Sequence, residues 1–548
     1  MNLKEKITEI VDFIFEDFGI YKDFPEKKRL LIHDNVHGTL NFKDYERKII
    51  NSPFLQRLTQ IRQMGLANFV YPGAIHTRFI HSLGVSYISS KIIESLFDSS
   101  PSKEIINSLR LAGLLHDIGF GPFSHLSDAI YSSLEYFPEY NETNYMDKLL
   151  IDNYTPSLGI SKNIHEIVAY HLLNNKRFKE FLEEIYHETP INLNLVPLLI
   201  TGNHIKKEIT NEEESIAIKV INGFSDADKI DYIYRDSLFT GLPLPIDFDR
   251  LYPFFTKISF EGGKYFEIGV QEKGARAFHL LLSAKSKMFP TIYHHHTTIA
   301  CESLLMKGII NIIRNFKEKN SNLDMFHPIN GAFDLLFYTD NTILNYLKMT
   351  QDPIATDVVN RLNKRKHYRR IVQLYYWELF KKFINSKEEF MSENGLDSFD
   401  IKLYNEYKEK QEKKIDNFQT LLENYSNILE FKKELVKKAG KDYILNKFSY
   451  LGQMNEDDII DYIIEIRFTP AFPKRPYEQP YIKTSDSITK QETLMSLNDL
   501  GYRAPKDEEI LSIIFYAFPE IVDLLKKPLT ELLREKLGEE IMRSISFS

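Results

Sequence analysis

The stretch 114–119 carries an adjacent histidine and aspartate, His116-Asp117, at the end of an apolar run. An imidazole nitrogen and a carboxylate oxygen are both good ligands for a divalent metal ion. Because successive helical residues point about 100° apart, both side chains can reach one ion only beside a helix end or a bend. The segment 119–122, Gly-Phe-Gly-Pro, supplies that bend. The pair therefore predicts part of a metal site.

Two other stretches offer further ligands and charges. Upstream, Arg78 and His81 lie three residues apart at the start of a predicted helix. Downstream, carboxylates are dense at helical spacing over 225–236, where adjacent turns can crowd one side of a helix with Asp228, Lys229, Tyr232 and Asp236. A buried row of carboxylates repels itself unless a cation or a basic partner offsets it.

Helices must position most of these residues. Apolar residues recur at helical spacing over 45–64 (with a break at Pro53), 82–97, 103–117, 402–438 and, with interruptions, 164–237. Alternating apolar and polar residues on both sides of Gly262-Gly263 predict a β-hairpin over 258–270. The pattern predicts a mostly α fold with a small hairpin and a helical C-terminal region.

Composition narrows the class of protein. The chain has 548 residues, of which 43% are hydrophobic, enough for a sizeable core. A net charge of −8 argues against a protein dedicated to nucleic acid. A single cysteine, Cys301, excludes an internal disulfide and a thiolate metal cage and favours a reducing cytoplasm. No signal peptide and no membrane-spanning apolar run is predicted.

Taken in order, these motifs resemble the HD-domain phosphohydrolases, and within them the dNTP triphosphohydrolase branch. That branch includes the animal sterile-alpha-motif/HD enzyme and bacterial dGTPase-type relatives. The resemblance covers roughly residues 30–300. The motifs that carry it are Val36-His37-Gly38, Pro53-Phe54-Leu55-Gln56-Arg57-Leu58, Tyr71-Pro72-Gly73-Ala74, 76–85 (HTRFIHSLGV), His116-Asp117-Ile118-Gly119, 121–125 (GPFSH) and Asp228-Lys229-Ile230-Asp231-Tyr232.

The resemblance implies one or two metal ions held by His81, His116, Asp117 and Asp228. Manganese, iron, magnesium, nickel and zinc all remain open, because a mixed nitrogen and oxygen site does not fix the ion. Such an ion polarises the α-phosphate and activates a water molecule.

The resemblance also assigns catalytic roles. Arg78 is expected to offset charge on the phosphate, and His125, oriented by Asp128, to act as a general acid at the leaving oxygen. A supporting histidine precedes a glutamate in the family. His165-Glu166 fits if residues 131–163 are an insertion, and Asn141-Glu142 is the alternative.

Substrate contacts follow from the same comparison of motifs. Lys229 is expected at the phosphates, Tyr232 beneath the deoxyribose, and Asp236 at the 3′-hydroxyl. The remaining expected contacts are Gln63 at the sugar, Lys285 at the triphosphate and Tyr293 on the substrate side.

The predicted organisation is an N-terminal helical segment (1–29), an HD core (30–345) and a regulatory or oligomerisation region (346–548). Two departures stand out. Phe120 replaces a histidine of many relatives, and only Gln56 matches the residues of the animal enzyme's guanine-nucleotide activator site, so GTP activation is not expected.

The predicted function is metal-dependent hydrolysis of a dNTP to deoxynucleoside and triphosphate in the cytoplasm. By resemblance we expect a homo-oligomer, a nucleotide effector and a role in nucleotide-pool control or antiviral defence. We do not expect the protein to bind a membrane, and we do not expect nucleic acid to be its main partner. The alternatives are an HD hydrolase or phosphodiesterase of another nucleotide or of single-stranded nucleic acid, and a weakly active nucleotide-binding regulator, for which Phe120 is the only hint.

Overall fold

The computed structural model describes most of the chain. The described residues are 3–17, 29–97, 99–134, 164–202, 211–223, 226–242, 251–260, 265–319, 327, 329, 332–375, 401–452, 454–469, 482–485, 492–495, 499 and 512–538. Of the predicted insertion, residues 131–134 end a helix, and 135–163 lie outside the described residues, as does the alternative Asn141-Glu142.

The predicted mostly α fold is confirmed. In chain order the helices are α1 (Leu3–Asp17), α2 (Asp44–Ile50), α3 (Pro53–Leu58), α4 (Arg78–Leu96), α5 (Lys103–Leu115), α6 (His125–Leu134), α7 (Ile164–Leu173), α8 (Lys176–Tyr186), α9 (Val196–Thr201), α10 (Glu212–Asn222), α11 (Ala227–Thr240), α12 (Ala275–Met288), α13 (His296–Lys319), α14 (Asp340–Met349), α15 (Pro353–Asn363), α16 (Ile401–Glu423), α17 (Tyr425–Asn446), α18 (Glu456–Ile463) and α19 (Val522–Leu537). A π-helical turn, Phe289–Tyr293, joins α12 to α13, and a 3₁₀ segment, Ala332–Phe337, precedes α14.

The strands form three small sheets. They are β1 (Arg29–Asp34), β2 (Gly38–Lys43), β3 (Phe255–Phe260), β4 (Tyr265–Gln271), β5 (Arg369–Tyr375), β6 (Ile464–Thr469), β7 (Ile482–Ser485), β8 (Glu492–Met495) and β9 (Ser512–Ala517). The sheet orders are β1-β2, β3-β4-β7-β8 and β5-β9-β6. The predicted hairpin is β3–β4, which pairs antiparallel from Phe255↔Val270 to Phe260↔Tyr265.

The C-terminal part is less purely helical than the sequence pattern predicts. Helices α16 to α19 account for the helical periodicity, but β5, β6 and β9 build an antiparallel sheet among them. All six residues of β9 are buried, so the strand lacks the alternation that marks a half-exposed strand. An unbroken apolar run of this length does not distinguish a strand from a buried helix.

Two packed helices, α4 and α5, place the first three candidate ligands. Ser102 caps α5 by accepting a hydrogen bond from the amide of Ile105, and the helix ends at Leu115. His116 and Asp117 therefore follow the end of a helix, where one ion can be reached by both. His81 lies in the first turn of α4 and is buried.

Helix α11 carries the carboxylate row along α4. Asp226 caps its first turn by accepting from the amide of Lys229, and Gly241, at φ +72°, ends it in a left-handed conformation. Asp231 and Asp236 are both buried. No helix of the described residues is long and apolar enough to cross a membrane.

A carboxyl group on α13 supports the loop before α4. Gly65, at φ +51°, approaches Glu302 so closely that a Cβ there would lie 3.1 Å from Glu302 Oε1. Burial raises the pKa of Glu302 to about 7, while the charge of Arg467 and a backbone hydrogen bond at Leu66 oppose the rise.

Replacing Glu302 with glutamine should therefore change the pH dependence of stability. The folded protein binds this proton more tightly than the unfolded chain, so wild-type stability should fall as pH rises from about 4.5 to 7. The Glu302→Gln variant should lack this pH dependence. Its free energy of unfolding at pH 8 should exceed that of wild type by up to about 3 kcal/mol. Thermal unfolding from pH 4.5 to 8 checks it, with the exposed Glu180→Gln as control. Parallel pH profiles for Glu302→Gln and wild type would contradict the prediction.

Candidate metal centre and hydrolytic site

The four predicted metal ligands converge on one point. His116 Nε2 lies 3.3 Å from His81 Nε2 and 3.2 Å from Asp117 Oδ1. Asp228 Oδ1 lies 3.0 Å from His81 Nε2 and 3.9 Å from His116 Nε2. Side chains from three stretches of the sequence, at least 35 residues apart, thus face one another with nitrogen and oxygen atoms.

The hydrogen bonds of the two imidazoles show that these atoms suit a cation. His116 Nδ1 donates to the carbonyl of Gly113 (2.9 Å), and His81 Nδ1 donates to Asp231 Oδ2 (2.7 Å). In the neutral rings both Nε2 atoms therefore present lone pairs toward each other and toward carboxylate oxygens. Burial alone would lower the pKa of His81, but its carboxylate partners raise it to about 10. A divalent ion would satisfy the same set of electron-rich atoms.

Behind His81, Asp231 joins a buried network. Its Oδ1 lies 2.6 Å from His37 Nε2, and Arg235 donates to both of its oxygens (2.7 and 3.0 Å). Arg235 also donates to Asp34 (2.8 Å). Gly84 leaves room for this contact, because a Cβ there would lie 2.0 Å from Asp231 Oδ1. A carboxylate in this position fixes the tautomer of a metal-binding histidine.

Arg78 connects the metal centre to the turn that follows Asp117. Its Nη1 donates to Asp117 Oδ2 (3.0 Å), and its Nε donates to Ser124 Oγ (2.8 Å). Burial would raise the pKa of Asp117, but the charges of Arg78 and of the two histidines lower it. The guanidinium is buried, so it presents positive charge in a place shielded from water.

The predicted acid–base group is also assembled. His165 Nδ1 lies 2.7 Å from Asp128 Oδ2, and His125 Nδ1 lies 3.5 Å from the same oxygen. Asp128 thus faces both imidazoles, and its charge raises the pKa of His165 against the effect of burial. His125 is 67% exposed, so it is accessible to a substrate. The structure brings His165 into the site from the start of α7, whereas Asn141 lies outside the described residues.

Phe120 separates Arg78 from His165. The Arg78 guanidinium carbon lies 3.7 Å from the centre of the Phe120 ring. On the other face, the His165 ring is stacked at 3.7 Å with an interplanar angle of 16°. His125 meets the ring edge at 5.0 Å. The departure from the family pattern thus places an apolar ring between Arg78, which borders the candidate metal centre, and His165 of the candidate acid–base group.

The expected sugar contacts cluster around Asp236. Its Oδ1 lies 2.7 Å from His76 Nε2, and its Oδ2 accepts from the Tyr293 hydroxyl (2.6 Å). Tyr232 lies edge-on to Tyr293, with 6.3 Å between ring centres. Gln63 is buried, and its Oε1 has no hydrogen-bond partner among the described residues, which leaves an acceptor for a ligand.

The two lysines differ in their surroundings. Lys229 pairs with the Asp226 carboxylate and donates to the carbonyl of Gly223 (3.0 Å), so a phosphate must compete with these partners. Lys285 is partly exposed on α12, one turn before the π-helical turn, with its Nζ 6.0 Å from the Phe289 ring.

Comparison with known protein families places the chain. Residues 78–219 match the HD domain, and residues 246–394 match the HD associated region. The chain is an HD-domain protein. The second match includes residues on both sides of position 345, where the sequence analysis places a boundary, and the proposed division stays a prediction.

Curated relatives agree with this assignment. The chain is 27% identical to an uncharacterised protein of Methanocaldococcus jannaschii over 384 residues, 67% of this chain and 68% of the relative. It is 27% identical to the deoxynucleoside triphosphate triphosphohydrolase SAMHD1 of Bos taurus over 65% of this chain and 62% of the relative. The Dictyostelium discoideum homologue is 31% identical over 42% of this chain and 40% of the relative. The match therefore spans less than two thirds of either eukaryotic protein. The resemblance to HD-domain dNTP triphosphohydrolases is confirmed, and the matches support a metal-dependent hydrolase.

Several residues that the sequence pattern left without a role belong to the site. Asp231, His37 and His76 all lie within the motifs that carry the family resemblance, but their partners are distant in sequence. The carboxylate spacing of α11 was the available signal for Asp231. Arg235, one turn further on, completes the row with a positive charge.

Asp231→Asn should weaken metal binding without removing a ligand. An amide cannot fix the protonated Nδ1 of His81 as strongly as a carboxylate, so Mn²⁺ affinity should fall about 10- to 100-fold. Isothermal titration with Mn²⁺ measures the change. Asp34→Asn is the matched control, because Asp34 also accepts a hydrogen bond from Arg235 but does not bind His81. Equal affinities for the two variants would contradict the assigned role.

Proposed function

We propose that this protein is a metal-dependent triphosphohydrolase that cleaves dNTPs to deoxynucleoside and triphosphate. The observation that carries the proposal is the convergence of His81, His116, Asp117 and Asp228 beside the buried cation Arg78. The relatives named deoxynucleoside triphosphate triphosphohydrolase support the substrate class. The Asp236 cluster supports a nucleoside rather than a bare phosphate.

The four ligands would hold a divalent ion, which polarises a phosphate and lowers the pKa of bound water when present. Arg78 lies at hydrogen-bond distance from Asp117 and adds positive charge where the phosphate gains negative charge. Lys229 provides a second cation once it leaves Asp226 for a phosphate. Cleavage at the α-phosphate releases the 5′-oxygen of the nucleoside, which needs a proton.

His125 is the proton donor in this proposal. It is the exposed member of a group in which Asp128 faces both His125 and the buried His165. Asp128 stabilises a protonated imidazole, and His165 holds Asp128 in place through its ring and its backbone amide (3.2 Å to Oδ1). An imidazole suits this task because its ordinary pKa lies near neutral pH. In His125, desolvation by the surrounding protein and the charges of Arg78 and His165 lower the pKa against the effect of Asp128, which favours release of the proton.

In this proposal the remaining residues select the substrate by contacting its sugar. Asp236, held by His76 and Tyr293, accepts the 3′-hydroxyl. Gln63 offers its side-chain carbonyl oxygen, which has no hydrogen-bond partner in the part of the chain that the structure describes. Tyr232 supports the sugar face, where a 2′-hydroxyl would clash. Lys285 is proposed to reach the triphosphate from α12. A homo-oligomer, a nucleotide effector, a cytoplasmic location and a role in antiviral defence stay predictions from the family resemblance.

A panel of nucleotides tests the proposal. Purified protein with Mn²⁺, Fe²⁺, Mg²⁺, Ni²⁺ or Zn²⁺ should release triphosphate from one or more dNTPs, offered singly or mixed, but not from the matching NTPs. Asp117→Ala should abolish both turnover and bound metal, measured by chromatography and elemental analysis. Cleavage of another phosphoester instead would favour the alternative hydrolase, and nucleotide binding without turnover would favour the regulator.

The apolar ring at position 120 gives a second test. Phe120→Leu keeps an apolar side chain but removes the faces on which Arg78 and His165 rest, and a stacked cation contributes about 1–2 kcal/mol. Turnover should fall about tenfold while the metal stays bound. Phe120→His restores a flat ring and should retain more activity than the leucine variant. Wild-type turnover in Phe120→Leu would contradict a positioning role for the ring.

A further inference from the structure

We propose that the segment 336–340, and its Asp340 carboxylate above all, is a positioning element that holds the catalytic turn 120–125 against the loop 60–63. The role of the turn in catalysis rests on the proposed function. The segment matches the HD associated region and lies outside the part matched to the HD domain itself. The proposal therefore gives the HD associated region a direct structural role in the active site.

Asp340 binds one backbone amide on each side of the site. Its Oδ1 accepts from the amide of Phe123 (2.7 Å), and its Oδ2 accepts from the amide of Arg62 (3.0 Å). Its own amide donates to the carbonyl of Gln60 (3.3 Å). The residue is 3% exposed, so water cannot replace these contacts without opening the structure.

A second link from the same segment reaches Phe120. The buried guanidinium of Arg57 donates from Nη1 to the carbonyl of Phe120 (2.7 Å). The same group donates to the carbonyls of Leu336 (3.0 Å) and Tyr338 (3.1 Å). Arg57 therefore ties the backbone of the segment to the start of the turn, and Asp340 ties it to the end.

The conformation of the turn explains why it needs such support. Phe123 (φ 56°) and Ser124 (φ 57°) are consecutive non-glycine residues in the left-handed region, which costs roughly 1–2 kcal/mol for each. Phe123, the first of the two, donates its amide hydrogen to the Asp340 carboxylate. Ser124 Oγ donates to the carbonyl of Arg62 (2.5 Å) and accepts from Arg78.

The turn leads directly to His125, the first residue of α6. Its geometry therefore sets where the proposed acid lies relative to Arg78 and the metal centre. Asp340 has no described contact with the four metal ligands. Loss of its carboxylate should disturb the acid and the loop that carries Gln63 while the metal site stays intact.

Asp340→Ala and Asp340→Asn test the inference, with Asp352→Ala as the control. Asp352 also starts a helix, accepting from the amide of Ala355 (2.9 Å) and from Asn311 Nδ2 (2.7 Å), but it does not contact the turn. Hydrogen exchange read by mass spectrometry should be about tenfold faster or more in peptides covering 60–64 and 119–126 of Asp340→Ala, because two charge-assisted hydrogen bonds are lost. Exchange there should be unchanged in Asp352→Ala.

Kinetics provide the second readout. Asp340→Ala should lower kcat by about tenfold or more and leave Mn²⁺ affinity within about twofold of wild type. The Asp340→Asn variant keeps one acceptor oxygen, so its kcat should lie between those of wild type and Asp340→Ala. Unchanged exchange in the two peptides, or a loss of kcat no larger than in Asp352→Ala at equal folded fraction, would overturn the inference. If wild type turned over no dNTP, the proposed function would fail, while the exchange measurement would still decide the role of Asp340.

Discussion

Electrostatic repulsion within the ligand cluster is the constraint on which the site depends. Two imidazole lone pairs and two carboxylates face one another in a largely buried position, an arrangement that is costly without positive charge. The surrounding protein supplies part of that charge. Arg78 pairs with Asp117, and Arg235 pairs with Asp231 and Asp34. Arg235 balances the carboxylates behind His81, and Arg78 offsets part of the charge of the candidate ligand Asp117, so a cation between the ligands would supply the remaining positive charge.

The same constraint explains why the supporting residues extend far from the ligands. His81 is fixed by Asp231, Asp231 by Arg235 and His37, and Arg235 by Asp34 on β1. Each buried polar group needs its own partner, so the network ends only at the hairpin β1–β2. The small hairpin therefore has a structural role in supporting the candidate metal centre, although none of its residues is a predicted ligand.

The sequence predicts the helices of the core and the residues that meet in the site, because the relevant signals are local. Helical periodicity places α4, α5 and α11, and the motifs give the candidate ligands that converge in the structure. The partners of Asp231 and Asp236 could not be predicted, because they depend on how α11 packs against α4 and the loop before it. Asp340 gave no signal at all, since its carboxylate acts on amides more than 200 residues away. The buried strand β9 was missed because an all-apolar run has no diagnostic period.

The order of strands in the C-terminal sheet has a consequence for biosynthesis. Strand β9 lies between β5 and β6 but follows both along the chain, so neither of its neighbours can pair with it until residue 517 has been made. The helices of the metal centre, in contrast, are complete by residue 240. Because domains form as units during translation, we expect the ligand cluster to assemble on the ribosome before β9 has been made and can pair with β5 and β6.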